Sequence, residues 1–225
     1  MPLDDRFARR VGKADTERPA PSREPAPRYL IVCEGTKTEP NYFTEIINSK
    51  RIPHTAVRVA KNDGVSPDRV VDHAIRLLEQ ERKFGDDFDG VFCVFDRDSH
   101  STFDDACQRV LAHSVKGPLR AIASVPCFEY WLILHFGFTD QPFHRAGKKS
   151  VGDQVVAKLK KQPGFSKYSK GQTGIYATLA GQKTLDAIRN AAQGRRAAGA
   201  RYFNPSTEID ELVEALLRWP MRPAP

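Results

Sequence analysis

The stretch that most constrains the fold is Val91-Phe92-Cys93-Val94-Phe95-Asp96-Arg97-Asp98, five apolar residues running straight into two carboxylates. A short unbroken apolar run is the pattern of a strand buried on both faces, as parallel sheets use. Open α/β sheets carry their chemistry at the carboxyl ends of the strands, where Asp96 and Asp98 sit. In extended chain alternate side chains share a face, so the two aspartates point one way and Arg97 the other. Side by side they repel, and each raises the proton affinity of the other unless a cation lies between them. All-oxygen donors of this kind suit Mg²⁺ or Mn²⁺. The plainer alternative is a polar loop in which Asp98 or Ser99 caps the next helix.

The chain on either side repeats this texture. Arg28–Cys33 reads as a strand ending in Glu34-Gly35-Thr36-Lys37-Thr38-Glu39-Pro40. Gly35 permits a sharp turn, and a helix follows with Tyr42, Phe43, Ile46 and Ile47 as its apolar stripe. Thr55–Ala60 alternates as a second strand, and Ser66-Pro67 opens a second helix. The order up to residue 95 is β-α-β-α-β. A helix over Thr102–His113 and a strand over Leu119–Val125 come next. Cys127–Phe138 is apolar nearly all round and reads as one buried helix carrying Glu129 and His135. A buried Glu or His is costly unless paired or ligating, so both are candidate site residues. Their plainer roles are an acceptor for N–H groups at the helix start and a satisfied core histidine. Beyond Thr139 three helices are expected, over Gly152–Lys161, over Thr173–Asn190 with a reach to Ala198, and over Glu208–Leu217 capped by Asn204-Pro205-Ser206-Thr207.

These readings divide the chain into a disordered arm (1–27), an α/β core (28–138), a basic, mostly helical part packed on it (139–219) and a tail (220–225). Five prolines and no apolar signal segment mark the arm. No apolar run approaches a membrane span, and four scattered cysteines without a C-x-x-C pair fit reduced thiols in the cytoplasm. The net charge of +7 is uneven. Residues 145–201 hold 13 Lys/Arg against two acids, +11, which leaves −4 for the rest. A basic region interleaved with Phe165, Tyr168 and Tyr176 is the footprint of a nucleic-acid partner. Lys148, Lys149, Lys160, Lys161, Arg195 and Arg196 are its candidate contacts. A merely solvated helical surface is the alternative.

Strands one and three of such a unit commonly flank the switch point, which brings Glu34 beside Asp96 and Asp98. Three carboxylates on one sheet edge form a hard-metal site able to assist phosphodiester hydrolysis. In this scheme Asp96 and Asp98 bind the ion, and Glu34 binds a second ion or acts as general base. His100 can assist proton transfer but ranks below Glu34. Glu129 completes the metal shell or orients His135.

The E-G pair at 34–35 and D-x-D at 96–98, each after an apolar strand, resemble the Toprim domain of topoisomerases, primases and OLD-type nucleases. More closely, I-V-C-E-G-T-K-T-E-P-N-Y-F (31–43), V-F-D-R-D (94–98), S-V-P-C-F-E-Y-W-L-I-L-H-F (124–136) and N-P-S-T (204–207) resemble the RloB family of bacterial defence and restriction-locus proteins. The resemblance implies a Toprim-like doubly wound, mainly parallel sheet flanked by helices. It implies Glu34, Asp96 and Asp98 as Mg²⁺ or Mn²⁺ site residues, with Glu129 and His135 as companions. Lys167, Tyr168 and Lys170 look like a family-typical basic cluster, a lysine of which can neutralise a phosphate or a leaving oxygen. The resemblance also implies an AAA-type ATPase partner and a role in anti-phage defence. The chain has no P-loop of its own: Pro142 stands where the first glycine before Gly147-Lys148 is wanted.

The function expected on these grounds is a metal-dependent nuclease. A non-catalytic nucleic-acid-binding module and a metal-dependent nucleotide phosphotransfer enzyme are the alternatives. The residues do not choose DNA over RNA, tRNA included.

Overall fold

The computed structural model describes residues 26–61, 66–97, 101–114, 117–197 and 201–220. Most of the expected arm and tail, together with Asp98, Ser99 and His100, lie outside the described residues. The core runs β1 (Tyr29–Cys33), α1 (Thr38–Ser49), β2 (Val57–Lys61), α2 (Pro67–Lys83), β3 (Gly90–Asp96), α3 (Phe103–Ser114) and β4 (Leu119–Val125). The sheet has five strands in the order β2-β1-β3-β4-β5. The first four are parallel, and β5 (Ser206–Thr207) lies antiparallel on β4. From β1 the chain moves one way to β2 and then crosses back to β3 on the other side of β1, so the switch point falls between β1 and β3.

Alternation along the strands sorts the core into two faces. Leu30, Val32, Val91, Cys93 and Phe95 pack with α2 and α3. Ile31, Cys33, Phe92, Val94 and Ile122 pack with α1 and the C-terminal helices. Nearly every one of these side chains is excluded from water, which is why the runs are continuous rather than alternating. Each of the Leu, Ile, Val and Phe side chains contributes roughly 1.5–3 kcal/mol by its burial. Asp96 shares the parity of Phe92 and Val94 and therefore faces the α1 and C-terminal side. Arg97 faces the other way: its guanidinium lies 5.3 Å from the Phe103 ring centre and donates to the Tyr202 carbonyl at 2.8 Å.

The C-terminal half departs from the expected elements in three places. The helix expected over 127–138 is α4 (Glu129–Ile133) followed by a 3-10 turn, Leu134–Phe136. Gly137 ends it at φ 144, in the region that favours glycine. The helix expected from Thr173 is two, α6 (Ile175–Leu179) and α7 (Gln182–Ala197), broken at Gly181 with φ 78. Ser206 and Thr207 do not simply precede a helix but form β5, with Ser124 Oγ 2.9 Å from Thr207 Oγ1. Helix α8 (Ile209–Leu217) starts after Glu208, and the Ile209 N–H donates to Thr207 Oγ1 at 3.2 Å. Helix α5 (Val151–Leu159) is capped as expected of a Ser-x-x-Asp box, with the Asp153 N–H donating to Ser150 Oγ at 3.1 Å and the Ser150 N–H to Asp153 at 2.9 Å.

Arg195, expected as a nucleic-acid contact, is instead turned inward between α7 and α8. Its guanidinium grips Asp210 in a bidentate pair, one arm at 2.7 Å, and donates to the Thr207 carbonyl. Asp210 is 3% exposed, and its charge is held mainly by Arg195, with its own backbone N–H adding to this. Removing one side of such a pair strands the other. Arg195→Ala is expected to lower stability by about 3 kcal/mol, read as a shift of the urea midpoint, while the neighbouring exposed Arg196→Ala moves it within about 0.5 kcal/mol.

Candidate metal and phosphate site

The carboxyl ends of the parallel strands open into a cavity of about 380 Å³. Four carboxylates line it: Glu34 after β1, Glu39 in the first turn of α1, Asp96 at the end of β3 and Glu129 at the start of α4. Glu34 and Asp96 are drawn together by the sheet register. Cys33 pairs with Val94, the Glu34 N–H donates to the Val94 carbonyl at 2.9 Å, and the Asp96 N–H donates to Glu34 Oε2 at 3.0 Å. Glu129 and Glu39 are almost fully buried. Glu129 accepts from the Tyr168 hydroxyl at 3.1 Å, and Lys170 Nζ stands 3.7 Å from the same oxygen.

The packing of these groups shapes their electrostatics. Burial, and then the carboxylates of Glu39, Glu129 and Glu34, push the Asp96 carboxyl well above the usual range, against the Phe128 backbone N–H that donates to it. Burial, reinforced by Glu129 and Glu34, pushes Glu39 up to about 7, although its own backbone N–H and Lys170 oppose this. Burial works against the Lys170 ammonium, but Glu129 and the rest of the acidic cluster outweigh it and hold the ammonium above its ordinary range. Fully ionised, the four carboxylates would outnumber the two lysines that line the same cavity, and without a cation the raised Asp96 and Glu39 carboxyls hold protons instead.

Glu39 was hidden in the sequence because a Glu in a first helical turn is ordinary. The available signal was its position: Glu39, Phe43 and Ile46 fall on one helical stripe, and that stripe is buried. Gly35 makes room for it. A Cβ at Gly35 would sit 2.1 Å from Glu39 Oε2. Lys37 also lines the cavity and was likewise not singled out.

Other expected site residues fall elsewhere. His135 does not reach the cavity. It packs edge-on against Trp131, with ring centres 4.8 Å apart, and its Nδ1 lies 3.0 Å from the Trp131 carbonyl. Burial holds its pKa down at about 4, a neutral core histidine. Tyr168 is 2% exposed and is occupied by Glu129, so it orients the cavity wall instead of offering a stacking face. Lys148, Lys149, Lys160, Lys161, Lys167 and Arg196 are exposed. Asp98 and His100 lie outside the described residues.

Hard, buried, mutually repelling carboxylates are the donor chemistry of a Mg²⁺ or Mn²⁺ site, and excess negative charge is what such an ion would neutralise. Among the described residues no three acidic, His or Cys side chains already converge at ligand spacing. Glu34 and Asp96, joined through the Asp96 N–H, would be the residues to hold such an ion, with Glu39 and Glu129 lining the same cavity.

The raised Glu39 has a consequence for the metal-free protein. The folded state holds a proton on Glu39 that the unfolded state releases between its ordinary value and about 7. Stability is therefore fully present below about pH 4.5 and is lost as pH rises toward 7, by about 3 kcal/mol for this group. His135 acts in the opposite sense, with stability fading as pH falls from about 6.5 toward 4. The difference between wild type and Glu39→Gln in EDTA isolates the first effect. The Tm advantage of Glu39→Gln is expected to widen from pH 5 to about pH 7 and to level off above it.

The fold is an α/β sheet of Toprim-like arrangement with an acidic cluster beside its switch point. The family model described as RloB-like protein matches residues 29–216, most of the chain, and the protein belongs to the RloB-like family. Neither the curated proteins nor the solved structures compared with the chain give a match.

Proposed function

We propose that this protein is a Toprim-type nuclease that cleaves phosphodiester bonds with Mg²⁺ or Mn²⁺. The observation that carries the reading is the cavity in which Glu34, Glu39, Asp96 and Glu129 meet with Lys170 at the carboxyl edge of the sheet. A divalent ion there would supply charge neutralisation at the phosphoryl oxygens and activation of the attacking water. Asp96 and Glu34 would hold and orient that ion, and Asp98, two residues on in the sequence, is a further expected ligand. Glu39, with its affinity for protons near neutrality, is suited to hold and pass a proton at its carboxylate. Lys170 places an ammonium where charge develops on a phosphate or a leaving oxygen. The exposed cations of the C-terminal half offer a track for the polymer backbone.

The reading extends to anti-phage defence and to an AAA-type ATPase partner, as the family resemblance suggests. No helix among the described residues is long and apolar enough to cross a membrane. The test incubates the purified protein with plasmid, single-stranded DNA, total RNA and tRNA in Mg²⁺, Mn²⁺ or EDTA. Cleavage that requires the metal and disappears in Glu34→Ala is expected. Retention of the polymer in EDTA with no cleavage in either metal, with and without the ATPase, would favour a binding module. Consumption of free nucleotides with no cut polymer would favour a phosphotransfer enzyme.

A further inference from the structure

The acidic cavity has two lysines at its mouth, and they come from distant parts of the chain. Lys37 lies in the turn between β1 and α1, and Lys170 lies in the segment between α5 and α6. A specific junction brings them side by side. Gly171 donates its N–H to Thr38 Oγ1 at 2.9 Å, and its carbonyl accepts from Asn41 Nδ2 at 3.0 Å. The Glu45 carboxylate anchors the far end of the segment, accepting from the Tyr176 N–H at 2.8 Å and from the Gly174 N–H. Gly171 sits at φ 82, and a Cβ there would come within 2.9 Å of Lys37 Cβ. The Lys37 stem therefore lies directly against Gly171, the residue after Lys170.

Both ammonium groups are accessible. Lys37 is exposed, and the Lys170 side chain is 65% exposed although it stands over Glu129. An acidic cavity disfavours an approaching phosphate, so an anionic substrate needs cations at the entrance. Two compact ammonium groups on a hydrogen-bonded platform meet that need.

We propose that Lys37 and Lys170 form a two-lysine clamp that takes backbone phosphates of a polynucleotide and lays the strand across the mouth of the carboxylate cavity. Only the purpose of the clamp rests on the nuclease reading; strand binding does not. It differs from a general basic surface because it is built where α1 meets the segment before α6, and Lys37 belongs to the less basic half of the chain.

The experiment measures fluorescence anisotropy of a labelled 20-nucleotide DNA strand and of the RNA of the same sequence, in EDTA, from 50 to 300 mM salt. Lys37→Ala and Lys170→Ala are each expected to weaken binding roughly three- to tenfold and to reduce the salt slope by about 0.7. Lys37→Arg and Lys170→Arg are expected to retain most of the binding. Lys83→Ala, an exposed charge-matched change at the end of α2, is expected to bind as wild type. Unchanged affinity and slope in both lysine-to-alanine variants would overturn the clamp, even if metal-dependent cleavage is present. Weakened binding of this pattern supports the clamp even if no metal produces cleavage, in which case the nuclease reading alone fails. Thermal midpoints within 1–2 °C of wild type show that a loss is not unfolding.

Discussion

Asp96→Ala is expected to abolish metal-dependent cleavage, with a fall of roughly 10³-fold or more, about 4 kcal/mol of transition-state stabilisation. The change removes the carboxylate of the residue whose backbone N–H holds Glu34 at the end of β3. The same substitution is expected to raise the Tm of the metal-free protein at pH 8. Asp96 is crowded by burial and by Glu39, Glu129 and Glu34, and neutralising it relieves that repulsion. The two effects separate a functional group from a structural one. A residue kept for stability would lose stability when removed, whereas this one is expected to gain it while losing activity. Circular dichroism melting in EDTA and the cleavage assay, run on one preparation, check both.

The second large effect is expected at Trp131→Ala. Trp131 is fully buried beneath the site, and its indole Nε1–H donates to the Tyr42 hydroxyl at 2.9 Å. Tyr42 is itself 1% exposed and packs edge-on against Phe43, Phe128 and Tyr176. Truncation opens a large cavity at the junction of α1, α4 and α6 and leaves the Tyr42 hydroxyl without its indole donor. The expected loss is about 4–5 kcal/mol in urea unfolding, a large share of the stability of a domain this size. Trp131→Phe, which keeps most of the volume and loses only the donor, is expected to cost less than half of that. Because α1 carries Glu39 and the turn before it carries Lys37, the alanine variant should also weaken activity below its melting temperature.

These expectations draw on features of unequal legibility. Strand β3 was readable because both of its faces are covered, so the apolar run has no polar interruption before Asp96. The side on which Asp96 faces followed from parity, and its neighbourhood with Glu34 followed from strand adjacency. Glu39 was not readable as a site residue, since composition cannot distinguish a carboxylate at a solvated helix start from one turned onto a buried stripe. Arg195 and Arg196 make the same point: they are adjacent in sequence, yet one is committed to Asp210 and the other is exposed. Strand β5 has two residues, too short for any periodicity, and exists because Ser206 and Thr207 complete the edge of β4. Tyr168 read as part of a basic aromatic patch, but the fold uses its ring as core and its hydroxyl as a donor to Glu129.

We propose that the four carboxylates gathered at the carboxyl edge of the sheet serve a divalent cation. Calorimetric titration of the metal-free protein with Mn²⁺ at pH 7.5 addresses it without assuming any substrate. Saturable binding that weakens at least tenfold in Asp96→Asn, with proton release, is predicted. Wild-type protein and Asp96→Asn giving the same heats, indistinguishable from dilution, would contradict it.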